Sequence, residues 1–156
     1  MTVKIHEGKP EGARYRVAIV VSRFNDLIGQ RLLKGALETL AARGVAEKNI
    51  EVAWVPGAWE IPVVIQKLSK TGRFQGFIAL GAVIRGETTH HLHIGTEVAA
   101  GLRRVTEETG HPVAFGVLTT ETLDQALARA GEKSDNKGAE AALALLETLS
   151  VLDQIQ

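Results

Sequence analysis

The sequence predicts an α/β fold, a three-layer αβα sandwich around a four-stranded parallel sheet with the flavodoxin-like strand order 2-1-3-4. Three observations carry that expectation. From Arg16 onward, short β-rich runs alternate with longer segments whose apolar residues recur every three or four positions. The short runs are almost continuously apolar, as strands covered on both faces of a parallel sheet must be. Four of the five helical segments end at a glycine, the residue that most readily leaves a helix through a left-handed turn.

Taken in order, residues 1–15 are polar and glycine-dotted, with no apolar stretch of signal-peptide length, and are expected to form an extended N-terminal arm. The first strand is expected at 17–21. A helix follows with the stripe Ile28, Leu32, Ala36 and Leu40, stopped by Gly44. Residues 50–55 form the second strand and 63–68 lie in the second helix, which Gly72 closes. The third strand spans 77–84, and the helix after it carries Ile94, Val98, Leu102 and Val105 up to Gly110. The fourth strand is expected at 112–118. Thr122 and Gln125 then stand at capping-box spacing before a helix marked by Leu123, Ala126, Leu127 and Ala130, ended by Gly131. A polar joint, 132–138, leads to a last helix with Ala139, Leu143, Leu146 and Leu149.

A chain of 156 residues without linker, repeat or low-complexity tract is read as one domain, 1–156, able to bury a core of its own. Eighteen Lys and Arg balance eighteen Asp and Glu, so no general attraction to nucleic acid or to an anionic membrane is expected. Cysteine is absent, which excludes disulfides, thiolate catalysis and sulfur-ligated zinc. With no long apolar span either, a cytoplasmic location is expected.

Ligands of open α/β sheets sit outside the carboxyl ends of the strands, so the loops after each strand carry the functional information. The third loop, residues 81–88 (GAVIRGET), has two glycines spaced as in a phosphate loop but Glu87 where that motif requires lysine. What survives is a tight glycine turn at Gly86 and a helix start whose free N–H groups suit an anion, or else simple turn punctuation. Next stand His90, His91 and His93. Three histidines in four residues invite a metal, but His90, His93 and Glu97 share a helix face that His91 does not, and no second acidic cluster accompanies them. The remaining readings are a solvated face, or proton transfer by His90 on the first turn beyond the anion loop.

In the first loop Phe24 is either a ring for stacking on a planar heterocycle or a hydrophobic staple for the helix that follows. In the second, Glu60 either complements a helix N-terminus or binds polyol hydroxyls. Arg129 at a helix end suits the dipole, whereas Lys137 at a helix start opposes it and raises the expectation of an anionic partner.

Five segments in register, 56–62 (PGAWEIP), 81–90, 115–119 (FGVLT), 125–131 (QALARAG) and 136–141 (NKGAEA), resemble the lumazine synthase family of riboflavin biosynthesis, over roughly residues 17–149. The resemblance implies a transferase that condenses 5-amino-6-(D-ribitylamino)uracil with 3,4-dihydroxy-2-butanone 4-phosphate to give 6,7-dimethyl-8-ribityllumazine, without metal or other cofactor. It implies that Phe24 stacks on the pyrimidine, that Ala58, Trp59 and Glu60 hold the ribityl chain, and that Ala82, Val83 and Ile84 meet the pyrimidine edge. Gly86, Glu87 and Thr88 then cradle the phosphate, and His90 transfers protons. Phe115 and Arg129, with Lys137 and Glu140 nearby, correspond to groups brought by a neighbouring subunit of a homopentamer, with riboflavin synthase a further partner. Family members with a short joint at 132–138 build sixty-subunit shells, although Asp135 stands here in place of glycine. The chain also departs from the family at Thr89 and at His91, Leu92 and His93. Two rival readings are an archaeal-type riboflavin synthase and a non-catalytic flavin or lumazine carrier.

Overall fold

The computed structural model describes residues 2–132 and 135–155; positions 133 and 134 of the joint and Met1 of the arm lie outside the described residues. Four parallel strands, β1 (Val17–Ser22), β2 (Ile50–Val55), β3 (Gly76–Ile84) and β4 (Val113–Thr120), form one sheet in the order β2-β1-β3-β4. The five helices are α1 (Asp26–Ala42), α2 (Ile61–Ser69), α3 (His90–Thr109), α4 (Leu123–Ala128) and α5 (Lys137–Gln154).

The pleat of β1 explains the three layers. Val17, Ile19 and Val21 point to one face, where α1, α4 and α5 bring Ile28, Leu32, Ala126, Leu145 and Leu146 into a single cluster. Ala18 and Val20 point to the other, where Ile61 and Ile65 of α2 and Val98, Leu102 and Val105 of α3 close a second cluster around Phe77. Both faces of the central strands are therefore dry, which accounts for their unbroken apolar sequences.

The outer strands differ from expectation. Glu51 and Val52 of β2 and Phe115 of β4 are exposed, because an edge strand has a helix layer over only part of its length. Gly44, Gly72 and Gly110 all take positive φ after their helices, as their stop signals require. Helix α4 is shorter than its stripe. Leu123 is 53% exposed, the helix gives way at Arg129, and Ala130 instead forms an isolated antiparallel bridge to Asn136. The bridge turns the chain directly into α5, whose first N–H groups are capped by Asn136 through Ala139 at 3.0 Å. Asp135, in that turn, has φ 50° in the left-handed region, where glycine would be unstrained.

Residues 2–16 carry no helix or strand and run beside α5: Glu7 N–H donates to Gln154, Lys9 N–H to Ser150, and the Tyr15 hydroxyl to Asp153 at 2.7 Å. Burial, the Asp153 hydrogen bond and the nearby Asp153 charge together push the Tyr15 phenol up to about 12.

Candidate active site

At the carboxyl ends of β1, β2 and β3 a cleft of about 450 Å³ opens between the loops and the start of α3. Each wall has a local cause. Asn25 adopts a left-handed conformation (φ 62°), which asparagine tolerates, and its side-chain amide donates to the Ala82 carbonyl at 3.0 Å. That bond ties the first loop to β3 and leaves Phe24 71% exposed on the cleft, so the ring does not lie down on α1 as a staple.

Across from it, residues 58–60 form a short 3-10 turn that places Ala58 and Trp59 on the cleft, with Trp59 58% exposed. Glu60 precedes α2 but makes no cap; its Oε2 is buried without a hydrogen-bond partner among the described residues. Ser22 Oγ is orphaned in the same way, directly over Gly81, where any side chain would strike the hydroxyl. A hydroxyl, able to donate or accept, and a carboxylate oxygen, able to accept, are thus both buried without a partner among the described residues.

The floor is Ala82, Val83 and Ile84 of β3. Beyond them the loop 86–89 is exposed, and Gly86 and Thr88 line the cleft while Glu87 lies outside the lining. Gly86 has neither a positive φ nor a neighbour within 4 Å of where a Cβ would stand, so the turn itself does not demand glycine. That corrects the tight-turn expectation; what glycine provides is open space beside the backbone. The N–H groups of residues 86–89 make no hydrogen bond among the described residues, and they precede the N-terminus of a 20-residue helix. Such donors and the positive end of the helix dipole could together cradle an anion.

His90, exposed on the first turn of α3, faces this cradle, with its own N–H donating to Thr88 Oγ1 at 3.3 Å. His91, set aside in the sequence reading, is only 3% exposed and lines the same cleft. Its Nε2 lies 3.4 Å from Glu121 Oε1, while Nδ1 is buried with no partner among the described residues. The second Glu121 oxygen accepts from Arg85 at 3.0 Å. The Arg85 hydrogen bond, assisted by His91, holds the Glu121 carboxyl below the usual glutamate range. No cluster of three or more His, Asp or Glu side chains converges as a metal site among the described residues.

Phe115, Arg129, Lys137 and Glu140 do not line this cleft. Arg129, Lys137 and Glu140 border a separate hollow of about 560 Å³ beside Thr119 and Thr120, and Arg129 donates back to the Gln125 carbonyl at 3.2 Å. Phe115 lies on β4 opposite Ala79, five residues before Thr120, so it sits roughly 16 Å back from the carboxyl edge of the sheet at the usual rise per residue. No helix of the described residues is long and apolar enough to cross a membrane. Against known families, the model described as 6,7-dimethyl-8-ribityllumazine synthase matches residues 14–153 of the 156.

Proposed function

Because the chain belongs to the 6,7-dimethyl-8-ribityllumazine synthase family, we propose that it joins 5-amino-6-(D-ribitylamino)uracil to 3,4-dihydroxy-2-butanone 4-phosphate, releasing the lumazine, phosphate and two waters. The observation that carries the reading is the presence, in the lining of one cleft, of an exposed ring at Phe24, the loop positions Gly86 and Thr88, and His90. A planar heterocycle, a phosphate and a proton carrier are the three requirements of this condensation.

Phe24 stacks on the pyrimidine, and the strand backbone at Ala82, Val83 and Ile84 meets its polar edge. The ribityl chain runs past Ala58 and Trp59, where the orphaned Glu60 oxygen accepts a hydroxyl donor. The keto-phosphate rests its phosphate on the N–H groups of Gly86, Glu87 and Thr88, with the Glu87 carboxylate directed away from it. The aromatic amine then attacks the ketone and loses water to form the imine; phosphate departs; the ring closes with loss of a second water. His90 passes protons in these steps, and holding both substrates in register supplies several kcal/mol of the acceleration.

The second half of the site comes from another copy of the chain. Phe115 stands too far down β4 to reach the cleft of its own chain, and Arg129, Lys137 and Glu140 open onto a different hollow. In a ring of five copies these groups close the neighbour's cleft, Arg129 meeting the leaving phosphate. The deciding assay mixes purified protein with both substrates and follows the lumazine's absorbance and fluorescence. Product formation is expected. Folded protein that forms none, yet binds the lumazine or riboflavin, would replace this reading with a carrier, and riboflavin formed from the lumazine would replace it with a riboflavin synthase.

A further inference from the structure

The loop 86–89 is exposed and its backbone N–H groups make no hydrogen bond among the described residues, so contacts at its two ends hold its shape. A flexible cradle would have to be ordered each time an anion arrived, at an entropic cost for every residue fixed. The two ends of the loop are Arg85, one residue past β3, and His90–His91, the first turn of α3. Both ends are held by one side chain. Glu121 Oε2 accepts from the Arg85 guanidinium at 3.0 Å, and Glu121 Oε1 faces His91 Nε2 at 3.4 Å.

The backbone that carries this half-exposed carboxylate is held from behind. Glu121 N–H donates to Gln125 Oε1 at 2.8 Å, and the Thr122 hydroxyl accepts from Gln125 N–H at 3.1 Å, so the capping box of α4 sets the position of Glu121. The Arg85 backbone N–H adds a bond to the Thr120 carbonyl at 2.9 Å. His91 cannot swing away, because its ring is buried in the stripe His91, Gly95, Val98, Leu102 and Val105 that faces the sheet.

We infer that Glu121 is a positioning residue for phosphate recognition: by gripping Arg85 with one oxygen and His91 with the other, it fixes the span of the 86–89 cradle. The inference rests on the phosphate role assigned to that loop above. Glu121 touches no substrate; its effect passes through the loop geometry and therefore falls on phosphate affinity rather than on the chemical steps.

The test uses the full chain and the variants Glu121→Ala, Glu121→Gln, His91→Phe and His91→Gln. Calorimetric titration with inorganic phosphate reads the cradle without turnover, and steady-state kinetics read KM for each substrate and kcat. Glu121→Ala is expected to weaken phosphate binding and raise KM for the keto-phosphate by about tenfold, short of the roughly hundredfold that a full ångström of misplacement can cost, while KM for the pyrimidine and kcat stay within about twofold. His91→Phe is expected to shift the same two quantities to a smaller extent. His91→Gln, whose amide N–H replaces Nε2 as donor, is expected to restore them, and Glu121→Gln, which keeps one acceptor oxygen without the charge, to fall between wild type and Glu121→Ala. Unchanged phosphate binding in a folded Glu121→Ala protein overturns the proposal, as does an equal loss toward both substrates. A wild type that binds phosphate but makes no product would reject the proposed reaction and leave the clamp to the titration alone.

Discussion

His90 and His91 are neighbours in sequence with opposite surroundings, and that contrast decides what each can do. His90 is exposed beside the loop 86–89 on the wall of the cleft, open to water and to whatever the cleft holds. His91 is buried, and its ring is engaged with Glu121. Replacing His90 by Ala is expected to lower kcat by several-fold to tens of fold, below the usual range for a general acid–base because water can enter the same exposed position. Full wild-type turnover in that variant would refute the role. The N–H cradle does not depend on the imidazole, so KM for the keto-phosphate is expected to move by less than about threefold. His91 was within reach of pattern reading: stepping back seven residues from Val98 along its stripe lands on position 91. By apolar residues alone the stripe starts at Ile94, because an imidazole carries two polar nitrogens that hide its place in the core.

At the scale of elements, the strands and helices were legible because their signals are local and their faces are determined by the sheet between them. Both layers of helices follow from the pleat of β1, and the capping box of α4 forms as its spacing indicates. Three features were not legible, each for a nonlocal reason. The early end of α4 depends on the bridge from Ala130 to Asn136, the exposure of β2 and β4 on their place at the edges, and the conformation of Asn25 on its bond to Ala82. The course of residues 2–16 beside α5 depends on bonds to the far end of the chain. Tyr15 joins the two through Asp153, and it is the only tyrosine in the chain, so its titration can be followed directly. Its phenolate absorbance is expected to rise with a midpoint of about 12 rather than near 10. The folded value is raised above the unfolded one, so this contact contributes fully below pH 10 and is lost as pH climbs toward 12. Tyr15→Phe is expected to lower stability by about 1.5–3 kcal/mol, the usual worth of a hydrogen bond to a charged group. Urea unfolding curves that superimpose on wild type would contradict that contact.

For the whole molecule, the residues proposed for the site divide into a group that one chain brings together and a group that it does not. Phe24, Trp59, the floor of β3 and His90 meet in one cleft, whereas Phe115 and Arg129 face elsewhere. Sequence resemblance names both groups because it compares positions, and it implies a neighbouring copy for Phe115 and Arg129 that the fold of one chain does not test. A mixing experiment separates the two arrangements. When His90→Ala and Arg129→Ala chains are unfolded together in equal amounts and refolded, about a quarter of shared sites carry both native residues if the site spans two copies. Activity above the average of the two parents is then expected; a mixture matching that average places both residues in one chain. The two tryptophans make such measurements easier to follow. Trp54 lies beneath the Arg23 guanidinium, 5.2 Å from its ring centroid, while Trp59 stands 58% exposed at the rim of the cleft. On the proposed reading, a heterocycle entering beside Trp59 is expected to quench one emitter and leave the other as an internal standard, an optical gauge of how full the cleft is.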